Sequence, residues 1–157
     1  MSYWSVVLCN ILYMSDLLLN PRGDGTFDLF FENGDLQMGK SLENAVLVSL
    51  GSDARVAEKS FRNELQDDGW WGEPTFEGDK WGSLLHTVFK RKNDPNVVLL
   101  AKQYAEDSLK WIVEDGVAKS VNVDVSDIGN GLSMEVSVTK GDEEKKYRYE
   151  LLWNEVA

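Results

Sequence analysis

Between Asp94 and Asp115 small and apolar residues recur at three- and four-residue steps: Val97, Ala101, Tyr104, Ala105, Ser108, Leu109 and Ile112. That spacing lays them along one stripe of a helix, with Lys102, Glu106, Lys110 and Glu114 on the opposite side. The ends agree. Asp94 can cap the first turn, Pro95 sits where a missing N–H costs nothing, and Gly116 follows the last periodic residue. The stretch is the longest helix the chain predicts, about 30 Å at roughly 1.5 Å per residue. Its stripe has to be buried against another layer.

After Gly116 the period drops to two. Val117, Lys119, Val121, Val123 and Val125 alternate with polar residues, then Leu132, Met134, Val136 and Val138, then Tyr147, Tyr149, Leu151 and Trp153. Ser133, Glu135, Ser137 and Thr139 take the other face of the middle run. Gly129-Asn130-Gly131 and Gly141-Asp142-Glu143 supply the turns, so the pattern predicts an antiparallel meander with its apolar side on a helix. The last run, Tyr147-Arg148-Tyr149-Glu150-Leu151-Leu152-Trp153, is expected at a sheet edge. An edge strand offers unpaired N–H and C=O groups, and these can accept a strand from another protein.

The N-terminal half is less regular. Leu17 to Leu19 reads as a short strand, closed by the turn-rich Asn20-Pro21-Arg22-Gly23-Asp24-Gly25. Asn33-Gly34 predicts a two-residue type I′ hairpin that sets Phe31 opposite Leu36, Leu29 opposite Met38 and Glu32 opposite Asp35. The two carboxylates fit a solvated turn or a cation site. Ser41 caps a helix whose Leu42, Ala45, Val46 and Leu50 share a face, with Gly51 as its stop. A weaker helix is expected over 54–65. Trp81, Leu84, Leu85, Val88 and Phe89 predict a short amphipathic helix. Gly82 within it costs about 1 kcal/mol against alanine, which points to a close backbone approach or a helix boundary. The expected fold is α+β: an N-terminal hairpin, several helices with one long one, and a C-terminal three-stranded meander, in a single domain over 14–157.

Charge and chemistry narrow the function. The 157 residues carry 27 acidic and 16 basic side chains, a net charge of −11, so a phosphate backbone would be approached against repulsion. Lys90-Arg91-Lys92 suits a helix C-terminus better than a nucleic-acid site. One cysteine, Cys9, and one histidine, His86, give neither a disulfide nor a zinc set, and no nucleophile stands beside the histidine. No metal or cofactor is expected. Val6 to Met14 is apolar, but Asn10 interrupts it and it falls short of the ~20 residues a spanning helix needs. Residues 1–13 are expected to be a non-native or flexible extension, with Met14 as the alternative start.

Between Gln66 and Lys80 the periodicity stops, and Gly69-Trp70-Trp71-Gly72 puts adjacent indoles in a loop. One of them can fold back as a plug over the core, or the pair can form a platform for a sugar or a partner. Glu73, Glu77 and Asp79 beside Trp70, Trp71 and Trp81 leave a glycoside hydrolase as a competing class, since two carboxylates flanking a sugar bond are its minimum. An acidic interaction module that blocks a basic partner is a third reading.

Gly69-Trp70-Trp71-Gly72, Trp81-Gly82-Ser83-Leu84-Leu85, Tyr104-Ala105, Ser108 to Gly116 including Trp111, and the closing Leu152-Trp153 together resemble the small baseplate protein of Mu-like contractile-tailed phages, gene product forty-six. The resemblance runs in order from Asp16 to Trp153. It departs at Leu84 and His86, where the family more often has a basic and an aromatic residue. It implies a non-enzymatic virion protein of the tail baseplate, assembled in the host cytoplasm. The wider group includes the lysozyme-like wedge or sheath-initiator proteins. Its implied partners are other wedge proteins and the tail sheath, reached through the C-terminal strands, with no nucleic acid and no membrane. Separate Trp70→Ala and Trp71→Ala variants distinguish plug from platform: a buried indole lost to alanine costs about 3–5 kcal/mol in denaturant unfolding, and an exposed one far less.

Overall fold

Valine rows set the largest sheet of the computed structural model, which describes residues 15–21, 27–40, 42–56, 81–91 and 94–153. Its strands are β1 (Ser15–Leu17), β2 (Leu19–Pro21), β3 (Phe27–Leu29), β4 (Phe31–Glu32), β5 (Asp35–Leu36), β6 (Met38–Lys40), β7 (Ser120–Asp127), β8 (Gly131–Lys140) and β9 (Glu143–Leu152). The helices are α1 (Leu42–Gly51), a 3-10 helix (Leu84–Arg91) and α2 (Val97–Glu114). The class is α+β. The chain divides into two compact units, Met1–Ala45 and Val46–Ala157, with the division inside α1. The Ser41 cap, the helix over 54–65 beyond Val56, the tandem tryptophans and the N-terminal extension all lie outside the described residues.

In the second unit β7, β8 and β9 form an antiparallel meander in that order. Its inner rows are Val121–Val138–Lys145, Val123–Val136–Tyr147, Val125–Met134–Tyr149 and Asp127–Leu132–Leu151. Val123, Leu132, Met134, Val136 and Val138 are buried. The alternate rows are mostly polar, among them Asp124–Glu135–Arg148 and Ser126–Ser133–Glu150, with Gly131–Leu152 at the far end. Alternation of this kind, broken by Lys145 and Asp127 at the ends of the inner rows, suits a sheet with one face packed on a helix. At the β8–β9 turn Gly141 has φ 66° and Asp142 does not share the positive φ, which is the type II′ arrangement that suits strand twist.

α2 packs on β7 and buries Val97, Ala101, Ala105, Leu109 and Ile112, while Tyr104 and Ser108 are half-buried. Lys110 sits 2.9 Å from Glu114, and that hydrogen bond holds its ammonium above the usual lysine range. The helix begins at Val97, later than Asp94 and Pro95 suggest. The Asp94 carboxylate accepts the Asn96 N–H at 2.8 Å, and its carbonyl accepts that of Val97 at 3.0 Å, so this residue closes a turn leading into the helix. At the other end Gly116, at φ 69°, donates its N–H to the Val113 carbonyl at 3.1 Å, a Schellman-type stop.

The amphipathic segment after Trp81 is a 3-10 helix, in which Leu85 and Val88 are buried and Leu84 is half-buried. With three residues per turn, the i, i+3 pair shares a face and the i+4 partner drifts off it.

In the first unit the hairpin is real but shorter than its apolar pattern suggests. Phe31 opposes Leu36 and Glu32 opposes Asp35 around Asn33 (φ 53°) and Gly34 (φ 83°), a type I′ turn. Leu29 does not oppose Met38: it pairs with Leu19, and Met38 pairs with Leu17. Three two-stranded arms therefore radiate from Leu18, Phe30 and Gln37. These three are joined in a ring of backbone bonds, Leu18 N–H to Gln37 O, Phe30 N–H to Leu18 O and Gln37 N–H to Phe30 O, each 2.9 Å. A single strand at 17–19 is thus two strands bent at Leu18. On its outer edge the buried Asn44 side chain donates to the Leu17 carbonyl and faces the Leu19 N–H.

Gly82→Ala and Gly129→Ala both place a side chain at positive φ, but only Gly82 lacks room: its Cβ would lie 2.5 Å from the Ser52 carbonyl oxygen. Urea unfolding is expected to show a loss of about 1 kcal/mol for Gly129→Ala and a clearly larger one for Gly82→Ala. Leu109→Ala, at a fully buried position, is expected to cost about 2–5 kcal/mol.

Candidate functional site

Trp81-Gly82-Ser83 closes a joint between two segments distant in sequence. Ser83 N–H donates to the Ser52 carbonyl at 2.7 Å and Ala54 N–H to the Ser83 carbonyl at 2.9 Å, making an isolated parallel bridge between Asp53 and Ser83. Gly82, at φ 86°, lets the backbones meet this closely, so both of its expected roles, close approach and helix boundary, apply. The buried Ser83 hydroxyl accepts the Leu85 N–H at 3.2 Å and donates to the Tyr104 carbonyl of α2 at 3.3 Å. It caps the 3-10 helix and ties it to the long one. His86 Nδ1 lies 3.1 Å from the Ser83 carbonyl and 3.4 Å from Asp53. That nitrogen therefore carries the proton, in a hydrogen-bonded structural position. Trp81 precedes the helix and is 41% exposed.

Trp111 has a polar anchor that periodicity does not reveal. Its indole N–H donates to Ser49 Oγ of α1 at 3.0 Å, while the ring stays 37% exposed. Ser49 is itself buried. Gly69, Trp70, Trp71 and Gly72, like Glu73, Glu77 and Asp79, lie outside the described residues. Of the sequence-selected positions, the joint (Trp81, Gly82, Ser83) and the α2 tryptophan are described. No group of three or more His, Cys, Asp or Glu that could hold a metal occurs among the described residues. Among them, too, no helix is long and apolar enough to cross a membrane.

The remaining sequence-selected feature is β9. It pairs with β8 from Glu143 to Leu152, and among the described residues no strand lies on its other side. A two-residue turn makes Lys140 and Glu143 a hydrogen-bonded pair, and at the far end Trp153 N–H donates to the Asn130 carbonyl at 2.9 Å in the same parity. Odd-numbered residues from 143 to 153 thus bond to β8. The N–H and C=O groups of Glu144, Lys146, Arg148, Glu150 and Leu152 point away from the sheet. Tyr147, Tyr149 and Leu151 are half-buried on the inner face, and Arg148 and Glu150 are exposed on the outer. Trp153 follows the strand as a turn residue.

The sheet's opposite edge is guarded. Lys102 reaches from α2, on the inner side of β7, to Asp124 on the outer face at 3.6 Å, so its stem crosses the β7 edge. A charge drawn across an edge in this way discourages further pairing. On β9 the ion pairs lie on the outer face instead, Lys146 with Glu135 at 3.3 Å and Arg148 with Glu150 at 3.5 Å. Among the described residues no strand pairs with the backbone edge between them.

Residues 42–145, which span α1 through the start of β9, match the family model described as phage protein GP46. The chain is 40% identical over 111 residues to the Mu-like prophage FluMu protein gp46 of Haemophilus influenzae, covering 70% of this chain and 75% of the relative. It is 30% identical over 135 residues to the baseplate protein gp46 of Escherichia phage Mu, covering 82% of this chain and 90% of that protein. With the family model spanning more than half of its length and two relatives aligned over most of theirs, the chain belongs to the phage GP46 family of Mu-like baseplate proteins.

Proposed function

We propose that this chain is a structural, non-enzymatic component of a contractile phage tail baseplate, which joins wedge proteins to the tail sheath by accepting a partner strand along β9. Its place is the tail of the virion, after assembly in the host cytoplasm. Membership of the GP46 family and the name of the phage Mu relative, a baseplate protein, support the baseplate role. The observation that carries the mechanism is the ten-residue β9, with five residues whose backbone donors and acceptors face outward in one row. Strand addition draws its affinity from such a row and its specificity from the side chains that alternate along it. The exposed charges of Lys146, Arg148 and Glu150 serve the second need, because an edge bearing them resists indiscriminate pairing. The net charge of −11 supports protein partners over nucleic acid.

The parity of the ladder makes the mechanism separable from the fold. Proline at Arg148 or Glu150 removes an outward N–H and leaves every β8–β9 bond in place, a position where an edge strand tolerates it. Proline at Tyr149 removes an N–H that bonds to β8. Arg148→Pro and Glu150→Pro are expected to keep a melting curve close to wild type and yet give no sheathed tails by electron microscopy. Tyr149→Pro is expected to lose about 3 kcal/mol of stability. Normal contractile tails from Arg148→Pro and Glu150→Pro would overturn strand addition.

A further inference from the structure

The two edges of the meander are finished differently. Lys102 crosses the β7 edge to reach Asp124, whereas along β9 the charged side chains stand on the outer face and leave the backbone row uncrossed. Arg148 and Glu150 are 66% and 52% exposed. Their mutual contact, 3.5 Å, is at the long limit of a hydrogen bond and uses one of the five N–H donors of the guanidinium. Both groups keep most of their bonding capacity for whatever lies beside the strand. An edge of ten residues is a template for pairing unless something covers it.

A second copy of the chain can lie against β9 only in certain registers. The outward N–H and C=O groups belong to even-numbered residues, so an antiparallel pair about a two-fold axis sets even residues opposite even ones. Charge separates the registers that keep most of the strand in the ladder. Centred on Lys146 or on Arg148, that cation faces its own copy. Centred on Tyr147, Glu144 opposes Glu150 and Lys146 opposes Arg148, like against like. Centred on Tyr149, Arg148 opposes Glu150 on both sides of the axis, Lys146 opposes Leu152, and no like charges meet. Each guanidinium then lies between the carboxylate of its own chain and that of the second copy, so four charges alternate around a ring. On the inner face Tyr149 meets its copy and Tyr147 meets Leu151 twice, which continues the half-buried apolar row from one sheet into the next. The net charge of −11 on each copy opposes association. Exposed charges are screened beyond about 8 Å at physiological ionic strength, however, and cross-strand neighbours lie about 5 Å apart, so the pairs beside the axis outweigh the charge carried elsewhere.

We propose that the free chain pairs β9 with β9 of a second copy, antiparallel about an axis at Tyr149, with Arg148 of each copy opposite Glu150 of the other. The dimer covers the edge until a tail partner takes the place of the second copy. It rests on β9 being an accepting edge, as the proposed strand addition does, but not on which tail protein supplies the strand.

Sedimentation velocity of the purified full chain at micromolar concentrations tests it. Wild type is expected to be a dimer. Arg148→Glu and Glu150→Arg each set like charges opposite each other at both pairs, and each is expected to raise the dimer dissociation constant roughly tenfold or more. Arg148→Glu/Glu150→Arg restores opposite signs and is expected to return the wild-type value. An equimolar mixture of the two single variants is expected to form a mixed dimer, because every opposed pair in it is of opposite sign. The altered side chains are exposed, so the circular dichroism of each variant is expected to match wild type. A monomeric wild type overturns the inference. So does a dimer that survives Arg148→Glu unchanged, or a pair of single variants that do not combine. Normal sheathed tails from Arg148→Pro and Glu150→Pro, beside a dimer that follows the charge reversals, overturn strand addition alone, whereas a monomeric wild type with no sheathed tails from those proline variants overturns this dimer alone.

Discussion

Burial of the α2 stripe against the valine rows of the meander is the interaction on which the second unit depends. Ala101, Ala105, Leu109 and Ile112 are fully buried, and two of these four are alanines. Small side chains at the contact let the helix come close to β7, while Leu109 and Ile112 supply most of the apolar area. The sheet answers with Val123, Val136 and Val138, whose branched side chains pack well on a pleated surface. Because α2 lies along β7, the sheet is covered asymmetrically, and the row farthest from the helix holds tyrosines that are only half-buried.

Polar groups then fix what apolar packing leaves free. Apolar surfaces slide. Ser83 stops the 3-10 helix from doing so by bonding the Tyr104 carbonyl, and the Trp111 indole does the same for α1 through Ser49. A buried hydroxyl costs free energy unless it is bonded, so both serines restrict the packing to arrangements that satisfy them. The bridge between Asp53 and Ser83 holds together two stretches of chain that are distant in sequence. Trp81-Gly82-Ser83, a segment that stands out in the sequence, is the residue set that makes the joint.

Legibility in the sequence followed the length of each pattern. Eighteen helical residues and three long alternating runs leave little choice of period, so α2, the meander and the outer position of β9 could be read directly. Gly82 was legible because glycine inside an apolar pattern needs a reason. The start of α2 was not, since Asp94 satisfies equally well a helix cap and the turn it makes. Asn44 and Ser49 were missed as buried residues because periodicity assigns polar side chains to solvent, and only tertiary contacts say otherwise. From the sequence the three-armed sheet reads as a short strand at Leu17 to Leu19 followed by one hairpin, because leucines and a phenylalanine at period two cannot reveal which of two partners each strand takes. Nothing local marks Leu18, Phe30 and Gln37 as points where pairing changes hands.

That ring has a consequence for how the first unit holds together. Each arm contains only two or three residue pairs, too few for an isolated ribbon to persist in water. Three bonds in a closed circuit make the arms interdependent: shifting one strand by a residue breaks two sides of the ring and turns apolar side chains to the wrong face. Register is therefore a property of the whole plate, set by closure and not by any one turn, and the plate is expected to form or come apart as a single cooperative element.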